Sequence, residues 1–183
     1  MTLFNDLYRI ESARLKAWNY SSSGWYFVTI CTHKHELRFG EIISGEMKLS
    51  EIGEIAQNEL LKTAIIRQNI ELDEWVIMPN HVHAIIIIND KQTDGVETPR
   101  WGVLGRKETT QRVVSTLSGN SLGSIIGQFK SKTTKRIRLI GNNIFQWQPR
   151  FYDHIIRNER ELSIIRKYIK TNLENWEIDR NYR

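Results

Sequence analysis

Residues 70–88 read Ile-Glu-Leu-Asp-Glu-Trp-Val-Ile-Met-Pro-Asn-His-Val-His-Ala-Ile-Ile-Ile-Ile. Two apolar runs, 70–77 and 81–88, are joined by Met78-Pro79-Asn80, a pattern that predicts two strands connected by a tight turn. Alternate side chains of a strand share a face, so His81 and His83 point the same way while Val82 enters the opposite layer. Imidazole is a common ligand of divalent transition metals, which makes the pair a candidate metal site. His-x-His alone is a weak signal, because strand histidines also occur as ordinary structural residues. Two ligands need a third from elsewhere.

Outward from this pair, Trp25-Tyr-Phe-Val-Thr-Ile-Cys31 is aromatic and β-branched after a Ser-Ser-Ser-Gly turn and predicts the first strand of the sheet. Ser50 is a candidate N-cap for a helix running to about Arg67, with Ile52, Ile55, Ala56, Leu60 and Ala64 on its apolar stripe. Ser121 to Ile140 predicts a second helix through Leu122, Ile125, Ile126, Phe129, Thr133 and Ile137. Phe145, Trp147, Pro149 and Phe151 alternate with Gln146, Gln148, Arg150 and Tyr152, which predicts an edge strand, since proline cannot donate in a ladder. His154 falls in the polar phase. Asn158 can cap a final helix carrying Leu162, Ile165, Ile169 and Trp176, bordered by Tyr168 and Asn172, four residues apart and so on one side. From 89 to 120 no period persists, and a long irregular connection is expected. The order strand, helix, strand, strand, helix, strand, helix predicts an α+β fold, one sheet with helices packed on it.

The 183 residues suit one domain spanning 1–183, with 89–120 as an insertion. With 40% hydrophobic and 26% charged residues, and no apolar run longer than Ala84 to Ile88, no membrane segment is expected. The amino terminus lacks the basic start and continuous apolar stretch of a secretory signal, so the expected location is the cytoplasm. Cys31, the single cysteine, excludes a disulfide within the chain and reads as a small buried thiol. The net charge of +5 is local: Lys130, Lys132, Lys135, Arg136, Arg138 and Arg150 fall between Ser121 and Arg150, where no Asp or Glu occurs. A solvated helix face and a phosphate-binding surface both fit this clustering.

Tyrosines beside an apolar helical stripe are commonly half-buried core residues. With an ordinary phenol pKa of about 10, Tyr168 needs a metal or a base beside it to act as a nucleophile. Tyr152 competes for that role, with Arg150 and His154 in its strand phase. Asn172 would supply an amide oxygen, a hard donor compatible with magnesium or manganese. A zinc hydrolase with a water nucleophile is a weaker reading, because no suitably spaced Glu or third His accompanies the pair.

The His-Val-His pair after Trp-Val-Ile-Met-Pro-Asn, the segment Phe151-Tyr-Asp-His-Ile-Ile-Arg-Asn-Glu159 and Tyr168-Ile-Lys-Thr-Asn172 together resemble the single-tyrosine HUH transposases. Within them the likeness is to the REP-associated tyrosine transposase branch, from about Tyr8 to Trp176. The resemblance implies a ferredoxin-like HUH endonuclease domain acting on single-stranded DNA near a hairpin, as a monomer or homodimer and without a nucleotide cofactor. It implies Mg2+ or Mn2+ held by His81, His83 and Asn172. Tyr168 would attack the scissile phosphate, leaving a 3′-hydroxyl and a covalent 5′-phosphotyrosine that a second 3′-hydroxyl can reverse. Lys130, Lys132, Lys135, Arg136, Arg138 and Arg150 would meet the DNA backbone, and Trp147 either stacks on unpaired bases or packs in the core. The chain departs from the branch at Leu173, where proline often follows the asparagine, so the final helix is free to continue to Trp176 or beyond. The competing function is a catalytically silent hairpin-DNA-binding protein; with His81, His83, Tyr168 and Asn172 all in place, the enzyme is the expectation.

Overall fold

The computed structural model describes residues 3–4, 8–9, 18–89, 120–179 and 181. Strands β1 (Leu3–Phe4) and β2 (Tyr8–Arg9) form a short antiparallel ribbon. The main sheet has four strands, β3 (Gly24–Cys31), β6 (Ile70–Ile77), β7 (His81–Ile88) and β8 (Tyr152–Ile156), in the order β6-β7-β3-β8 with every pair antiparallel. A hairpin of β4 (Gly40–Ile43) and β5 (Glu46–Leu49) stands apart from it. Among the described residues three α-helices complete the fold: α1 (Glu51–Ile66), α2 (Leu122–Leu139) and α3 (Glu159–Lys170). This is the expected α+β, ferredoxin-like arrangement. Among the described residues no helix is long and apolar enough to cross a membrane.

Strand alternation divides the core into two layers. Val28, Ile30, Val82, Ala84 and Ile86 point to one face, where Ala56 and Leu60 of α1 and Ile125 and Phe129 of α2 cover them. Phe27, Ile85 and Ile156 point to the other, where Leu162 and Ile169 of α3 pack. His81 and His83 share the phase of Ile85 and therefore belong to the α3 layer. Each helix starts where a side chain satisfies an orphan amide. Ser50 accepts from the Gly53 amide at 3.1 Å, Ser121 from Ser124 at 3.2 Å and Asn158 from Glu161 at 2.9 Å.

Two expectations are corrected. The edge strand does not begin at Phe145: pairing starts at Tyr152, and before it only Trp147 bridges Thr32. Phe145 is buried and Trp147 half-buried in the α1/α2 layer beside Phe39, and Arg150 takes a φ of 66°, so the chain turns rather than pairs. The period of two came from aromatic side chains filling the core from a loop. Nor does the last helix reach Trp176. It ends at Lys170, and after a turn a 3-10 segment, Trp176–Ile178, brings the chain back over the sheet. The β4–β5 hairpin is an addition to the expected order. Its signal was Ser44-Gly45, both at positive φ as a two-residue hairpin turn requires. The irregular connection expected at 89–120 lies, from 90 to 119, outside the described residues.

Helix α1 approaches the backbone at Phe39 so closely that a β-carbon on Gly53 would collide with the Phe39 carbonyl oxygen, whereas one on Gly127, exposed in α2, would meet nothing. Gly53→Ala should therefore destabilise by about 1–3 kcal/mol through overpacking, roughly 3–10 °C in a chain of this size. Gly127→Ala should stabilise by about 0.5–1 kcal/mol through helix propensity. Thermal melts of the two variants, opposite in sign, check this reading of the two helices.

Candidate active site

The turn before β7 orders the histidines. Asn80 is fully buried, and its Nδ2 donates to the carbonyl oxygens of Asn181 at 2.7 Å and His35 at 3.2 Å. Its Oδ1 is thus the atom facing His81 Nδ1 at 2.7 Å, which places the His81 proton on Nδ1 and a lone pair on Nε2. The His83 ring meets the Thr29 hydroxyl at Nδ1, 2.9 Å away, and has a backbone hydrogen bond at Val28. The two Nε2 atoms face each other at 3.0 Å. Two lone pairs at that distance repel unless a cation or a proton lies between them. Two nitrogens at right angles about one metal, each about 2.1 Å from it, would stand about 3.0 Å apart.

Burial, reinforced by the neighbouring His83, drives the His81 pKa well below its ordinary value, and burial lowers that of His83 to about 4 against the opposing pull of Asp179. Both rings are therefore neutral near pH 7, the form that coordinates a metal.

A carboxylate meets the two imidazoles. Asp179 is carried in by the 3-10 segment after α3, and its carboxylate comes with His81 and His83 into a cluster whose ligand atoms lie within 4.8 Å of one another. Burial would raise its carboxyl pKa, but hydrogen bonds from the Asn181 amide and the Tyr168 hydroxyl, with His81 nearby, hold it below the ordinary value. Asn172 is buried. Its Nδ2 donates to Asp179 Oδ2 at 3.3 Å, and its Oδ1 has no hydrogen-bond partner among the described residues. Two imidazoles and a carboxylate, with a buried amide of unpartnered oxygen joined to that carboxylate, are a donor set that suits a divalent cation.

Tyr168 reaches into this cluster from α3. Its hydroxyl donates to Asp179 Oδ2 at 2.8 Å and lies 3.2 Å from His83 Nε2, while the ring, 41% exposed, stands edge-on to Phe27 and His83. Tyr152, the competing tyrosine, pairs in register with Thr29 on the same sheet face and meets Phe27 edge-on at 6.4 Å, but no hydrogen bond joins it to the His pair among the described residues. His154 is held by Glu161 at 2.6 Å at the start of α3. Asp153 pairs with Val28 and so faces the other layer. Cys31, half-buried beside the site, has its thiol pKa pushed up to about 11 by burial and is no thiolate at neutral pH.

The structure thus brings His81, His83, Tyr168 and Asn172 together. It places the basic residues of α2 on the opposite layer, with Arg150 at the loop before β8. Sequence reasoning missed Asp179, Trp176, whose ring lies 5.9 Å from that of His81, and the Asn80–Asn181 link. No spacing rule finds them, because a turn beyond α3 delivers them. Asn80 alone left a signal, as the polar residue directly before the pair.

No protein-family model matches the chain. It is 35% identical over 175 residues to an uncharacterized protein of Haemophilus influenzae, covering 94% of this chain and 92% of that one. Among solved structures it is similar to a REP-associated tyrosine transposase bound to a REP hairpin, with a TM-score of 0.54 and 17% identity, covering 84% of this chain and 68% of that one. At that identity the likeness shows a shared fold.

If the lone pairs and oxygens are a cation site, Mn2+ at 100 times its Kd should add about 2.7 kcal/mol to stability, a rise of roughly 5–10 °C in Tm. His81→Ala should abolish the rise. Asn80→Ala, which leaves both ligands but frees the His81 ring, should weaken Mn2+ binding about 10–100-fold, as read by calorimetry.

Proposed function

We propose, for a chain that belongs to one family with the Haemophilus influenzae protein and has the fold of the hairpin-bound transposase, that it is a metal-dependent single-stranded DNA endonuclease and strand transferase acting at hairpin DNA. The observation that carries this reading is the Tyr168 hydroxyl, 2.8 Å from Asp179 and 3.2 Å from His83, a nucleophile in reach of a cation's donor set. Mg2+ or Mn2+ held by His81 and His83, with Asp179 and Asn172 as oxygen donors, would polarise the scissile phosphate and stabilise the charge that develops on it.

The remaining work falls to the chain. Tyr168 Oη forms the new bond to phosphorus as the bond from phosphorus to the 3′-oxygen breaks. Its proton passes to the Asp179 carboxylate along the 2.8 Å hydrogen bond, and the departing 3′-oxygen takes a proton from water. The products are a 3′-hydroxyl and a 5′-phosphotyrosine. One phosphodiester replaces another, so a second 3′-hydroxyl can attack the linkage and rejoin strands, with Asp179 returning the proton to Tyr168. Tyr168 is half exposed on the α3 layer, where an extended strand would approach it.

A second reading gains support from Asp179. It supplies the third ligand that the sequence alone did not offer to a water-activating zinc hydrolase. The two readings differ in whether the protein becomes joined to DNA. Incubation with a labelled DNA stem-loop carrying a single-stranded tail, copied from an inverted repeat beside the gene, in Mg2+, Mn2+ or Zn2+, followed by a denaturing gel, should show a covalent protein–DNA band. Tyr168→Phe and His81→Ala should each lower its formation by at least about 10³-fold, while Tyr152→Phe keeps it. Cleavage that survives Tyr168→Phe with no covalent band would establish the hydrolase instead. Binding without cleavage in any metal would establish the silent DNA-binding protein.

A further inference from the structure

Leu72 and Trp75 of β6 both pack into the α1/α2 layer although they are three residues apart, an odd spacing that regular strand alternation forbids. A bulge resolves it. Leu72 pairs with Ile86 and Trp75 with Ala84, so Asp73 and Glu74 together stand opposite Ile85, a residue of the α3 layer. Val76 then returns to that layer. Without the extra residue one of the two acids would point into the apolar core under α1 and α2. With it, both find a cation on α3: Asp73 accepts from Arg166 Nε at 2.7 Å and from its Nη2 at 3.0 Å, and Glu74 pairs with Lys170 at 2.8 Å.

The spacing of these residues around α3 turns the contacts into a lever. At about 100° per residue, Arg166 and Lys170 fall on one flank and Tyr168 on the other, with the buried Leu162 and Ile169 directed at the sheet between them. The apolar pair is the pivot. Side-chain tips lie about 5–6 Å from a helix axis, so a turn of about 10° moves each flank by about 1 Å in opposite senses relative to the sheet. Two aliphatic side chains resist so small a turn weakly, because dispersion contacts have no direction. A forked guanidinium on a carboxylate does resist it.

We infer that Asp73 and Glu74 are positioning residues of the proposed strand transfer, holding α3 in the rotation that aims the Tyr168 hydroxyl at the scissile phosphate. The inference rests on the proposed function and adds how its nucleophile is aimed. Neither acid belongs to the cluster of His81, His83 and Asp179, so they act on the reaction through α3. Ion pairs this exposed add little to stability, whereas misplacing a reacting group by about 1 Å slows a reaction by up to about 10²-fold. Their loss is therefore felt in the rate and not in the fold.

The test is single-turnover formation of the covalent protein–DNA band in Mn2+, with the full chain in saturating excess over a labelled stem-loop bearing a single-stranded tail. Hairpin affinity is read separately by fluorescence anisotropy in chelator, where no strand is cut. Asp73→Asn and Glu74→Gln should each slow the band about 10-fold, and together up to about 10²-fold, with hairpin affinity within about twofold of the parent's. Glu74→Lys should be slow as well, and Lys170→Glu added to it should restore the rate by rebuilding the pair in reverse. Lys62→Gln, which removes an ion pair with Glu59 on the other layer, should leave the rate unchanged. Variants of Asp73 and Glu74 that react at the parent's rate, or whose slowing follows a fall in melting temperature or hairpin affinity, would overturn the inference and leave the proposed function standing. A parent that forms no covalent band would overturn both.

Discussion

The fold depends on a strand with no free face. β7 sends Val82, Ala84 and Ile86 into the α1/α2 layer and His81, His83 and Ile85 into the α3 layer, and all six are buried. Its continuous apolar run answers to burial on both sides. Any polar side chain on it must then find its partners inside the protein. The two imidazoles meet Asn80 and Thr29 at Nδ1, and their Nε2 atoms face each other at 3.0 Å beside the Tyr168 hydroxyl. A buried polar atom without a partner costs about 1–3 kcal/mol. At this site the unpartnered atom is Asn172 Oδ1, and under the proposed function the stability given up there would return as affinity for a cation.

Tyr168 depends on how α3 is fastened, because that helix buries few side chains: Leu162 and Ile169 alone are fully inside. Two apolar anchors set its distance from the sheet but constrain its rotation weakly. Polar contacts supply the rest. A bulge in β6 sets Asp73 and Glu74 against the single residue Ile85, so consecutive acids both reach α3. Asp73 holds Arg166 through two hydrogen bonds at 2.7 and 3.0 Å, and Glu74 holds Lys170 at 2.8 Å. Arg166 and Lys170 are one turn apart on one flank, while Tyr168 and Asn172 occupy the other. At the start of the helix Glu161 accepts from the Arg157 amide and His154, which hold its carboxyl below its ordinary value. Exposed ion pairs add little stability, about 0–1 kcal/mol each. Their effect here is orientational: they fix which way the Tyr168 hydroxyl points.

Much of this was legible in the sequence because it is local. The strands 70–77 and 81–88, the caps Ser50, Ser121 and Asn158, and the shared face of His81 and His83 follow from periodicity and capping rules that span a few residues. The failures are tertiary. Phe145 and Trp147 alternate like a strand because a loop inserts them into a core built by Phe39 and Phe129, which no short window contains. Trp176 lies at helical spacing from Ile165 and Ile169, yet α3 stops at Lys170, and Trp176 covers His81 instead. Asp179 was invisible for the same reason, since its meeting with His81 spans nearly a hundred residues of sequence and needs the turn after α3.

That turn also decides how the two layers can serve one substrate. With the carboxylate delivered from beyond α3, the donor set closes from the tail side, where Trp176 and the Asn80–Asn181 link lie across the mouth of β7. The approach left to a strand is the flank of Tyr168 and Tyr152, which is half exposed. β8 is an edge strand, and its first residue, Tyr152, follows the loop carrying Trp147, which with Lys130, Lys135 and Arg138 of α2 lines an open groove. The basic side chains on the far layer and Tyr168 on the near one are therefore joined around the end of the sheet past Arg150, whose left-handed backbone turns the chain from loop into edge strand. A single-stranded tail is flexible enough to follow that bend, whereas a duplex of about 50 nm persistence length is not. Under the proposed function, an unpaired strand would therefore reach Tyr168 where a duplex would not.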